Sequence, residues 1–164
     1  MQAEIAELAA LRDMVEGPAY DDKRGDPLMD FGCGFTERLW WVLRLYHGTH
    51  VEDAPIPEEG FGYYPAFAHH NLSAADGLFE KVRGRFGAAS YTVIRDHGDV
   101  GKPPFKVRFP VANGLASGHG PGGRGTYEGH GYTPSRALVS AIIAAEIGYR
   151  RGVEATRQLQ GTRA

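Results

Sequence analysis

The chain reads as an α+β domain: a small antiparallel sheet of two to three strands packed by about four helices, sandwich-like. Three observations predict it. Several segments carry apolar residues at helical spacing, one segment alternates strictly instead, and 164 residues are enough to bury one sizeable core but not two. The reading divides the chain into a single α+β domain over 1–152 and a C-terminal tail over 153–164. Within the domain lie an N-terminal helical part (1–50), an aromatic loop (51–71) and a sandwich core (72–152).

Ile5, Leu8, Leu11 and Val15 recur at helical spacing in a segment rich in Ala, Glu and Leu, which predicts a first helix from about Gln2 to Glu16, stopped by Gly17 and Pro18. Thr36 is the expected N-cap of a second helix, whose apolar residues are Leu39, Val42, Leu43 and Tyr46 and which ends near Gly48. The stretch 51–71 holds prolines, glycines and aromatics with no sustained period, and reads as a long ordered loop or lid. Ser73 with Asp76 opens a third helix in the manner of a capping box; its buried stripe is Ala75, Leu78, Phe79, Val82 and Phe86.

Two strands are expected next, one from Ser90 and one from Pro104, joined by a glycine-containing turn. In the second, Phe105, Val107, Phe109 and Val111 alternate with Lys106, Arg108 and Pro110, placing the apolar side chains on one face and two cations on the other. Pro110 has no N–H for a ladder and so marks an edge or the end of pairing. Thr133 as N-cap and Pro134 at the first helical position begin a last helix to about Gly148, deep in the core through Leu138, Val139, Ile142, Ile143 and Ile147. The tail beyond reads as frayed or helical only in part.

The 18 basic and 20 acidic residues nearly balance, so the charge calls for neither a nucleic-acid polymer nor an anionic membrane as partner. The single cysteine, Cys33, cannot form an internal disulfide, and the N-terminal segment is too acidic for a signal peptide, which together favour a cytoplasmic protein.

A Tyr-Pro pair in the aromatic loop (Tyr64, Pro65), then Ser73, Ala74, Ala75 and Asp76, then Thr133, Pro134, Ala137 and Leu138 form a combination that resembles small phage proteins of the phage ABA-sandwich type. The likeness runs from about Tyr64 to Gly148. It implies a phage or prophage origin, the host cytoplasm as location and an α+β sandwich, and it supplies no catalytic residue. The chain departs from that pattern in its longer N-terminal half, in Trp40 and Trp41, and in an expanded glycine tract.

From Gly114 to Gly131, eight of eighteen residues are glycine. Gly118, Gly120 and Gly123 fit the G-x-G-x-x-G spacing, and so do Gly120, Gly122 and Gly125, but no helix follows directly, so this is not a dinucleotide fingerprint. A looser reading makes the tract an anion cradle. Gly122 and Gly123 open backbone N–H groups to a ligand, Thr133 marks a helix start with partial positive charge, Arg124 and Arg136 add charge, and Arg108 extends the positive surface. Tyr63 and Tyr64, adjacent in extended chain, cannot both turn inward, which leaves one to stack on a base. The competing reading is a slack surface loop whose glycines reflect weak constraint.

His47 and His50, with Glu52 and Asp53 behind them, fall short of a zinc signature, and no cysteine pair or H-E-x-x-H exists, so neither metal nor cofactor is expected. Cys33 has no base near it in sequence. The functional expectation is a non-enzymatic phage accessory protein that binds a small phosphorylated or nucleotide-like ligand, such as a host immune signal to be sequestered. A homodimer or higher homo-oligomer would enclose that ligand more fully. The alternatives are a protein-interaction module that blocks or adapts a host or virion protein, and a nucleotide hydrolase using His47 and a carboxylate.

Overall fold

The computed structural model describes residues 2–17, 38, 39, 42, 43, 72–95, 101–112 and 125–162. These form an α+β arrangement of three helices, α1 (Gln2–Glu16), α2 (Leu72–Phe86) and α3 (Pro134–Thr162), and three strands, β1 (Thr92–Arg95), β2 (Phe105–Val111) and β3 (Gly125–Gly131). The strands make one antiparallel sheet in the order β1-β2-β3. Of the expected second helix, Arg38, Leu39, Val42 and Leu43 are described, and the Leu43 N–H donates to the Leu39 carbonyl at 2.9 Å, one α-helical turn.

The apolar spacing of α1 and α2 sets which face each buries. Ile5, Leu8, Leu11 and Val15 of α1 enter the core, as do Ala75, Leu78, Phe79, Val82 and Phe86 of α2. α2 begins at Leu72, one residue before its expected cap, and the Asp76 carboxylate accepts a hydrogen bond from the Tyr91 hydroxyl at 2.9 Å. Its other end is closed by Gly87 in the left-handed region (φ 64°), with the Ala88 N–H donating to the Arg83 backbone carbonyl at 3.0 Å.

α3 is the central element. Residues from Ser135 to Ile147 are buried on every side, because α1 and α2 flank this helix while β2 and β3 lie against it. Thr133 caps it as expected, its Oγ1 accepting from the Arg136 N–H at 3.2 Å. The helix does not stop near Gly148: it continues to Thr162, so the segment read as a frayed tail is helical. The residues from Val153 to Gln160 are mostly good helix formers, and propensity carries the helix on after its apolar face has ended.

β2 is the middle strand, with Val107, Phe109 and Val111 buried against the helices and Arg108 and Pro110 exposed on the opposite face. Phe109 meets Phe79 at 5.3 Å and Phe86 at 6.4 Å between ring centroids, tying α2 to the sheet. Pairing with β1 ends at Arg108↔Thr92, whereas pairing with β3 continues through Pro110↔Thr126. Pro110 therefore sits where a missing N–H removes no bond to β1, on a central strand and not on an edge.

β3 overturns the reading of the glycine tract as loop throughout. From Gly125 the tract is a strand, and the register puts Gly125, Tyr127, Gly129 and Gly131 on the helix-facing side. A Cβ at Gly131 would lie 2.5 Å from the Ala137 nitrogen, and one at Gly129 would lie 2.7 Å from Ala141 Cα. Here glycine is what allows α3 to press its backbone against the sheet.

Candidate functional site

Of the residues nominated from sequence, the three that are described, Arg108, Thr133 and Arg136, are not gathered in one place. Arg136 is 4% exposed, at the first turn of α3 and on the helix side of the sheet, packed against Gly131. Arg108 projects from the other face of the sheet, where its Nε donates to Glu128 Oε1 at 2.8 Å. Thr133 spends its hydroxyl on the helix cap and on Ser135, 3.0 Å away. Arg124, Gly122, Gly123, Tyr63 and Tyr64 lie outside the described residues, as do His47, His50, Cys33, Trp40 and Trp41. Among the described residues no group of three or more His, Cys, Asp or Glu could hold a metal ion, and no helix is long and apolar enough to cross a membrane.

Among the described residues two hollows stand out, both along α3. The larger, about 590 Å³, is a groove with walls from α1 (Ala9, Arg12, Asp13) and β3 (Thr126, Tyr127, Glu128) and a floor from α3 (Ala144, Ile147, Gly148, Arg151). Its width follows from small residues. Tyr127 lies so closely over Gly148 that any side chain there would collide with the phenol ring, while Ala9 is small on the opposite wall and Ala144 on the floor. Burial pushes the Tyr127 hydroxyl above its usual 10.0, and the positive charge of Arg151, on the same groove, pulls it partly back down.

Arg12 bridges the groove's two walls. Its Nη2 donates to the Glu128 carbonyl at 3.1 Å and its Nε to Ser140 Oγ at 3.3 Å, and Ser140 in turn donates to Glu16 at 2.5 Å. The outward edge of β3 is thus held to α1 by a charged donor instead of by another strand. The groove combines an aromatic ring, small and apolar floor residues (Ala144, Ile147, Gly148), the basic Arg12 and Arg151 and the acidic Asp13 and Glu128, in a volume typical of small-molecule sites.

The second hollow, about 290 Å³, is a cleft between α1, α2 and α3 lined by Glu4, Arg85, Glu146, Tyr149, Arg150, Val153 and Arg157. At its base Glu146, 1% exposed, accepts from Arg85 Nη1 on both oxygens at 2.9 Å and from Arg150 Nε at 2.9 Å. Arg150 also donates to Glu4 at 3.1 Å and to the Val42 carbonyl, and Arg85 donates to the Leu43 carbonyl at 3.3 Å. A buried carboxylate satisfied on both oxygens by two guanidinium groups fixes the crossing of α2 on α3.

Sequence reasoning passed over Tyr127, Arg151, Arg12 and the Arg85–Glu146–Arg150 cluster. One signal for the cluster was available: Glu146 and Arg150 stand four apart in a helix whose preceding residues are apolar all round, and a charge there needs a partner. No comparable signal marked Tyr127, because its neighbours on the same strand face, Gly125 and Gly129, are glycines. Comparison with protein-family models, with curated proteins and with solved structures returns no match for this chain.

Proposed function

We propose that the protein binds a small phosphorylated or nucleotide-like ligand without transforming it, as a phage or prophage accessory protein of the ABA-sandwich type, with the 36–48 segment as its fourth helix. The observation that carries the reading is the groove beside β3, where Tyr127 and Arg151 stand over a floor of Ala144, Ile147 and Gly148. A base or similar flat group lies against the phenol ring, and Arg151 meets its phosphate. The glycine tract contributes one wall of the groove, and Arg124, with Gly122 and Gly123, immediately precedes that wall in the chain. In this reading those residues add charge and backbone donors from the near end, and Tyr63 or Tyr64 supplies the covering ring. Thr133 and Arg136 stand toward the other end of β3 and support the strand; Arg108 contributes to the positive surface only if a ligand displaces Glu128.

The test is native mass spectrometry and thermal shift of the purified protein with a panel of nucleoside mono-, di- and cyclic phosphates. A nucleotide-dependent rise in Tm that disappears in both Arg151→Ala and Arg124→Ala supports the reading. No rise with any member of the panel, together with stable co-purification of a protein partner, replaces it with the interaction-module alternative.

A further inference from the structure

The smaller cleft is charged in a way that the contacts at its base do not use up. Three guanidinium groups, of Arg85, Arg150 and Arg157, line it with two carboxylates, of Glu4 and Glu146. Glu146 is engaged by Arg85 and Arg150, and Glu4 by Arg150, so both carboxylates are committed to the inner pair of arginines. Arg157 is the remaining cation. Arg150, Val153 and Arg157 follow at i, i+3 and i+7 on one stripe of α3, which sets Arg157 about 10 Å along the helix from Arg150, at the open side of the cleft. Arg157 is exposed, and no ion pair or hydrogen bond holds it among the described residues.

The inner arginines are fixed in place. Arg150 is 5% exposed and spends its Nε, Nη1 and Nη2 on Glu146, Glu4 and the Val42 carbonyl, and Arg85 is held by both oxygens of Glu146. Such a cleft has a positive base held by hydrogen bonds and one exposed positive arm, with a net excess of one positive charge among its lining side chains. We propose that it is a second binding site, separate from the groove beside β3, which holds a phosphate-type oxyanion between Arg157 and the face of the Arg85–Arg150 pair. The anion supplies the missing negative charge, draws Arg157 across the opening and competes with Glu4, the half-exposed carboxylate, for Arg150. At about 290 Å³ the cleft is at the small end of ligand pockets, the size of a phosphate or a phosphomonoester head and not of a whole dinucleotide.

The experiment is a titration of the full chain with inorganic phosphate against chloride at matched ionic strength, followed by the arginine Nε–H resonances and by Tm. The expected result is a saturable shift of the Arg157 resonance with a parallel rise in Tm. Arg157→Gln, a change at an exposed position, weakens phosphate binding by roughly tenfold or more, as loss of a charge-assisted hydrogen bond does. Arg157→Lys retains part of the affinity. Arg151→Gln, in the other hollow, leaves the Arg157 shift unchanged even if it abolishes nucleotide binding, so the two sites fail independently. An Arg157 resonance that does not move on phosphate addition overturns the proposal, and so does an equal phosphate affinity in wild type and Arg157→Gln.

Discussion

Gly129 of β3 lies against the backbone of Ala141 in α3, so closely that a methyl group on Gly129 would run into the Ala141 nitrogen and the Ala137 carbonyl. Neither obstacle is a side chain that could rotate away. Gly129→Ala must therefore push the strand off the helix, and the expected destabilisation is at the upper end of overpacking, about 3 kcal/mol. Gly84→Ala is the control. Gly84 lies on the exposed side of α2 with nothing within 4 Å of the added Cβ, and the substitution should stabilise by up to about 1 kcal/mol through helix propensity. Urea unfolding of the two variants measures both signs.

The same contact explains what the sequence could and could not reveal. α1, α2, β2 and the start of α3 were legible because each shows large apolar side chains at its own period. β3 also alternates, but its inward positions are Gly125, Tyr127, Gly129 and Gly131, and a strand that buries mostly hydrogen atoms presents no apolar pattern to read. The groove beside it was hidden for that reason, since its tyrosine stood in what looked like loop. The cleft was hidden differently: Arg85 and Glu146 are 61 residues apart, and only the crossing of α2 on α3 pairs them.

Glu146 is the hinge of that crossing, and removing it leaves two guanidinium groups without their carboxylate. Glu146→Ala should cost about 3–5 kcal/mol, most of it the penalty on the buried Arg150, which is only 7% exposed in its side chain. Pairing the change with Arg150→Met removes the orphaned charge as well, and the double variant should recover much of the loss. A double-mutant cycle by chemical denaturation tests this; strictly additive losses would show that the two charges do not compensate each other.

Tyr91 makes stability depend on alkaline pH. Burial, then the hydrogen bond and negative charge of Asp76, raise its hydroxyl from 10.0 to about 12. The folded chain thus keeps a proton that the unfolded chain releases, so this contribution is complete below pH 10 and declines as the pH rises toward 12. Tyr91→Phe removes the titrating group while retaining the ring that packs edge-on against Phe79 at 5.1 Å. The variant should be less stable at neutral pH, by about 1 kcal/mol for the lost hydrogen bond, and should lose less stability than wild type between pH 10 and 12. Thermal unfolding at stepped pH reads the difference.

Arg108 offers a pH signal on the opposite face of the sheet. Its hydrogen bond to Glu128 is the chief cause that holds that carboxyl below the ordinary 4.5; burial opposes it, and the charges of Arg108, Lys106 and His130 add to the lowering. A carboxyl lowered in the folded state contributes stability above the unfolded value and loses it as pH falls through the folded one, so the contribution fades below pH 4.5. With both side chains more than a third exposed, it amounts to no more than about 1 kcal/mol. Arg108→Gln should bring Glu128 back toward 4.5, observable by carboxyl NMR titration. The same resonance reports on ligand. An anion that uses Arg108 must displace Glu128 from it and so raise the Glu128 pKa, whereas an anion confined to the Arg157 cleft, which Glu128 does not line, should leave the Arg108–Glu128 pair unchanged.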